Sequence, residues 1–192
     1  MLPLLACSKE VVMRRRPFLL GLVVLLGSTL VAGAAVPAGA GSKPPEVPPA
    51  IQVPANHRVV LDVVGRGVQI YDCPAAGADW TLREPAAVLY GRGNRPVGIH
   101  FRGPTFEAFD GSKVLATLQA STPAPDPTKA IAWLLLKAVS TEGDGVLAKV
   151  DYVQRIEIRG GVAPEGPCDP AADRTVAVPY RARYVFSAPV ST

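Results

Sequence analysis

Only two histidines, His57 and His100, stand in this chain of 192 residues, and one of them sits amid other reactive side chains. The stretch VGIHFRGPTFEAFDGSKV, Val97 to Val114, carries His100, Arg102, Glu107 and Asp110 around a Gly-Pro break. An imidazole beside a guanidinium and a carboxylate can serve as general base, proton donor or anion contact. A secreted or periplasmic hydrolase or lyase would therefore rest on His100 with Glu107 or Asp110. A metal centre needs two or three converging ligands, and no second histidine lies near His100, so no metal is expected. Ser112 lacks a Gly-x-Ser-x-Gly context, which leaves no nucleophile elbow. The fragment Gly65-Arg66-Gly67-Val68-Gln69-Ile70 lacks the third glycine of a dinucleotide fingerprint, and no helix follows it. No cofactor is expected, and the residues so far name no catalytic group.

The same stretch has a purely structural reading. In a strand over Val97–Phe101, Val97, Ile99 and Phe101 share one face, and His100 and Arg102 share the other. Gly103-Pro104 interrupts the strand, and Thr105–Phe109 resumes it with Glu107 beside Thr105 and Phe109. Asp110-Gly111-Ser112-Lys113 is a good turn, since glycine accepts positive φ and aspartate bonds the backbone. His100 and Arg102 are expected off the apolar core, so replacing His100 with Ala should cost about 1 kcal/mol or less. Gln154 falls on the apolar side of its strand. A buried amide must find partners, so Gln154 is either a structural anchor or a polar group in a cavity. His100, Arg102, Glu107 and Gln154 are the ligand-binding candidates. Trp80, Trp133 and the tyrosines read first as core or rim residues.

The elements that must hold these residues are strands. Thr175–Ser187 alternates Val176, Val178, Tyr180, Ala182, Tyr184 and Phe186 with Thr175, Arg181, Arg183 and Ser187. Val146–Gly161 alternates likewise, with Lys149, Asp151, Arg155, Glu157 and Arg159 on the wet side. Shorter candidates are Arg58–Val64, Val68–Cys73, Ala87–Tyr90 and Lys113–Gln119, separated by glycine-rich turns. The apolar run AIAWLLLKAV, residues 130–139, suits a buried strand or a short helix, and strand is preferred. Eight or nine short strands without a long amphipathic helix predict a mainly antiparallel all-β domain, either a β-sandwich or a closed β-barrel.

The segment preceding this domain reads as an export leader. Met13-Arg14-Arg15-Arg16 is a basic head, the apolar run Phe18–Gly33 follows, and small residues come next. That order marks a signal peptide over residues 1–40, with Met1 or Met13 as start. An uncleaved anchor is the rival, and Leu4-Leu5-Ala6-Cys7 resembles a lipoprotein box without the apolar segment that should precede it. Gly41–Pro54 holds five prolines and is expected to be an extended arm or linker, leaving 55–192 as one β domain. The leader holds four of the 20 basic residues and one of the 16 acidic ones, so the rest carries 16 against 15. The net charge of +4 shrinks to +1, and a nucleic-acid partner is not expected. Membrane contact is expected only through an uncleaved leader. Cys7 leaves with the leader, and Cys73 and Cys168 should pair, as two cysteines in an exported chain usually do.

Several landmarks recur in a known order: GVQIYDC, Trp80 with the segment PAAVL, VGIHFRGPTFEAFDGSKV, AIAWLLL, YVQRIEIRGGVAP, Cys168 and VPYRARYVF. Together they resemble the secreted proteins of domain-of-unknown-function family 3455, over nearly all of Gly67 to Phe186. That resemblance implies a secreted domain and supplies no activity. With no catalytic motif, the leading expectation is an exported domain, periplasmic or extracellular, that binds a small molecule, a glycan or a cell-envelope partner. N-terminal sequencing of the exported protein should begin between Ala34 and Gly41. An intact Met1 or Met13 on a membrane-bound chain would show an anchor instead.

Overall fold

The computed structural model describes residues 43–190; the leader and its cleavage site lie outside them. Eight strands follow one another: β1 (His57–Asp72), β2 (Thr81–Tyr90), β3 (Pro96–Phe101), β4 (Thr105–Ala108), β5 (Lys113–Thr122), β6 (Trp133–Glu142), β7 (Tyr152–Gly160) and β8 (Thr175–Pro189). Each pairs antiparallel with its chain neighbours, and β8 returns to pair with β1, so one sheet closes into a ring. The all-β expectation holds. Closure leaves no row of unpaired backbone groups along a sheet edge.

The run at 130–139 is largely strand β6. Its apolarity is continuous because both faces are covered: Leu136 packs inside the ring, and Leu135 packs outside it beneath Ile51. Residues 146–150, expected to extend β7, instead form the loop before it. Of the loop residues expected on the apolar side, Val150 is buried in the interior cluster, but Val146 is 38% exposed, and Leu147, not placed on that side, is fully buried there instead.

Two irregularities decide which side chains point inward. At Val60 the β1–β8 register slips, so Val59 packs outside with Val185 while Leu61 and Val63 pack inside. At Glu157, which sits at φ 51°, the β7–β8 register slips again, and Ile156 faces out while Ile158 faces in. An extra residue in one strand breaks the period of two, as a β-bulge does. Arg183 holds the second irregularity, donating to Asp62 at 3.0 and 2.7 Å and to Glu157 at 2.8 Å.

The Pro-rich arm is packed rather than free. Pro49–Ile51 forms a 3-10 turn, and Ile51 is fully buried against Val59, Leu135, Tyr152, Ile156 and Val185. At the other end, Cys73 and Cys168 form a disulfide across 95 residues with a Cα–Cα distance of 5.7 Å. Backbone bonds reinforce it, with Gly77 N–H donating to Cys168 O and Cys168 N–H to Ala78 O, both at 2.8 Å. Chain-entropy reasoning assigns such a cross-link about 4–5 kcal/mol. Arm docking is the less expected of the two ties. Ile51→Ala should lower stability by about 2–4 kcal/mol in urea unfolding, as for other buried aliphatic truncations; a loss below about 1 kcal/mol would mean the arm merely lies on the sheet.

Candidate functional site

The interior of the ring is aromatic at its centre. His100 stacks on Phe106 with ring centroids 4.1 Å apart and planes 4° from parallel, and meets Tyr184 edge-on at 5.2 Å. Phe106 in turn touches Tyr184 and Phe186. The Tyr184 ring finds room because Gly65 lies against it; a Cβ there would come within 2.4 Å of the ring. The fragment Gly65-Arg66-Gly67 is thus a strand segment that makes way for an aromatic neighbour, not a phosphate loop.

His100 overturns the expectation set for it. It is 3% exposed and points into the ring, not away from the core. The grouping of β3 side chains was right, but the faces are reversed: His100 pairs across from Phe106, whose ring fills the interior, and Ile99 is left 36% exposed. A histidine adjacent in register to an inward Phe on the same face must go inward with it. Its Nδ1 lies 2.9 Å from Thr105 O and, as the partner of a carbonyl, carries the proton. Nε2 is then an acceptor. Burial lowers the pKa to about 4, more than the Thr105 bond restores it, and the Arg155 charge adds to the lowering.

Beside this cluster lies a hollow of about 260 Å³, lined by His100, Gln69, Arg155 and Tyr184, with Glu84, Arg102 and several leucines towards its mouth. Gln69 is fully buried, and neither amide atom has a hydrogen-bond partner. Arg155 donates from Nη2 to Ala132 O at 3.0 Å, while its buried Nε has no acceptor. Tyr180 and Tyr184 share a hydroxyl–hydroxyl bond of 2.9 Å. Burial raises the pKa of both phenols, so they remain neutral donors.

Of the four sequence-derived ligand candidates, His100 and Arg102 meet at this hollow, and Glu107 and Gln154 do not. Arg102 sits at the mouth, bonded to Glu84 at 3.2 and 3.4 Å. Glu107 pairs with Ile99 and Lys113 across the sheet and is exposed, on the face opposite His100. Gln154 lies outside the ring and donates to Ile51 O at 2.7 Å, the anchor role weighed for it, beside a separate hollow of about 350 Å³ under the arm. Asp110 clamps two loops, accepting from Ser112 N–H and Oγ and, at 2.8 Å, from Val146 N–H.

The site residues that sequence reasoning passed over are Gln69, Arg155 and Tyr184. Arg155 was assigned to the wet face of its strand, but that face looks into the ring. Two tyrosines on the inward side of β8 were the usable sign, because buried hydroxyls require polar company.

The family model for the DUF3455 proteins of unknown function matches residues 54–188. The chain belongs to this family. No curated protein and no solved structure matches it. The DUF3455 match takes in the strands, except for the last residue of β8, and every residue named at the interior hollow, whereas Ile51 and the arm up to Val53 lie before it.

The buried imidazole has a direct consequence for stability. Its folded pKa of about 4 lies below the ordinary 6.5, so between those values the unfolded chain binds more protons, and stability falls as pH drops. The full effect is on the order of 3 kcal/mol. His100→Ala should therefore cost about 2–4 kcal/mol at pH 7, far above the sequence-based expectation. In urea unfolding the gap between wild type and variant should narrow towards pH 4. A gap that is small at pH 7 or constant with pH would place the imidazole in water.

Proposed function

We propose that this DUF3455 protein is an exported, non-enzymatic module that binds a small molecule in the hollow inside its ring. The observation that carries the reading is Gln69, a fully buried amide whose oxygen and nitrogen both lack partners. Such a group costs about 1–3 kcal/mol of lost hydration unless something bonds to it. Folded proteins rarely leave one so, and a functional cavity is a standard reason. A hollow of about 260 Å³ is near the lower end of small-molecule sites, too small for a glycan chain. The disulfide supports an oxidising compartment and so export. Among the described residues no helix is long and apolar enough to cross a membrane.

The hydrolase or lyase reading draws less support. Of its proposed carboxylates, Glu107 is on the other face of the sheet from His100, and Asp110 is engaged in holding loops.

Native mass spectrometry of the purified protein tests the proposal together with Gln69→Leu. Wild type should carry a small-molecule mass increment that the variant lacks. The ligand-free variant should be as stable as wild type or more stable, since leucine removes two unpaired polar atoms from the interior. A bare wild-type mass, or a variant that is clearly less stable without ligand, would show Gln69 to be structural.

A further inference from the structure

We propose that the ligand is a small organic acid whose carboxylate binds Arg155 and whose apolar body lies along Leu82, Leu118 and Leu134. This deepens the binding reading above and rests on it. The hollow is lined by three arginines, Arg83, Arg102 and Arg155, against one carboxylate, Glu84. Both of the others are balanced: Glu84 accepts from Arg102 and lies 3.4 Å from Arg83, and Arg83 also donates to Asp72 at 3.1 Å, which leaves Arg155 as the one uncompensated charge of the three. Among the described residues Arg155 has no carboxylate partner; the charged states that bear on it are those of Tyr71, Tyr180 and Tyr184. Those phenols are held neutral by burial, so none offsets the guanidinium.

A guanidinium withdrawn from water without a counter-charge is unfavourable, and an arriving anion removes that penalty. One uncompensated charge calls for a monoanion. The planar fork of a guanidinium matches a carboxylate in particular, bonding both oxygens at once. Unpartnered polar atoms on Gln69 and Arg155 lie at the same wall. His100, neutral and with Nδ1–H bonded to Thr105, adds no second positive charge, and its Nε2 can accept from a hydroxyl on the ligand.

The mouth has a different character. Leu82 and Leu118 are 49% and 57% exposed, and both line this hollow with Leu134. Exposed leucines gathered at the opening of a charged cavity suit a molecule with an acidic head and an apolar body. The volume admits on the order of ten heavy atoms, taking ~30 Å³ for each as for a water in the liquid.

Phenylpropionate is a probe of that size, and phenylpropanamide is its neutral counterpart. Equilibrium dialysis of the exported protein should show the acid binding at least about tenfold tighter than the amide, the scale expected for one desolvated charge pair. Arg155→Met should abolish that preference and leave the affinity for the amide within about twofold. Near-UV circular dichroism checks that the variant is folded. If it is not, Arg155→Lys, which keeps the charge and loses the fork, should show an intermediate preference. Equal affinity of acid and amide in wild type, or a preference that survives Arg155→Met, would overturn the carboxylate assignment and leave the binding reading standing. Failure of both probes to bind overturns the assignment too, and a bare native mass would then remove the binding reading with it.

Discussion

Fifteen residue pairs join β1 to β8, and their pairing turns a row of eight strands into a ring. Without it β1 and β8 would each present a long unpaired edge, and the aromatic side chains of β8 would face water. With it, Tyr184 sits between Val63 of β1 and Arg155 of β7, over the space left by Gly65. Phe106, His100 and Phe186 assemble around that ring. The long pairing tolerates a slip at Val60 because the residues on either side remain in register with β8.

Closure also explains why polar groups occur inside. A closed ring has a fixed interior, and side chains from every strand must fill it or leave it hollow. Here one part is filled by aromatic rings, and the neighbouring part is left to Gln69, Arg155 and the paired hydroxyls of Tyr180 and Tyr184. Those groups are too polar to stabilise a core and too well enclosed to be surface. Among them the Gln69 amide and the Nε of Arg155 have no hydrogen-bond partner.

The outside of β6, β7 and β8 is a second, smaller core. Ile51 and its neighbours in the arm cover Leu135, Ile156 and Val185, with Gln154 bonded to the arm backbone. Covering those residues is why β6 is apolar on both faces at Trp133–Leu136 and why β8 is buried on both faces from Tyr184 to Ala188. A strand buried on both sides loses its alternation and reads as a continuous apolar run. Ile51 lies before the family match, so this covering is supplied by the chain immediately upstream of the matched residues 54–188.

Much of this protein was legible in its residues. Strand class, turn positions and the Cys73–Cys168 pair follow from local rules: side chains alternate with period two, glycine and aspartate mark turns, and two cysteines in one oxidised chain pair. The grouping of His100 with Arg102 was equally local. What alternation could not supply is the sign of a face. For β3 the apolar side turned outward, because His100 follows Phe106 across the hairpin and Phe106 is held by strands far away in sequence. For β7 a slip at Glu157 exchanged faces in mid-strand, and Arg155, charged and seemingly wet, came to line the interior. Gln69 gave no local sign at all, since its lack of partners is a property of the closed ring. Period-two patterning is set by the backbone and is readable anywhere along a chain; which of the two faces meets the interior is set by contacts between β1, β7 and β8 that exist only once the ring has closed.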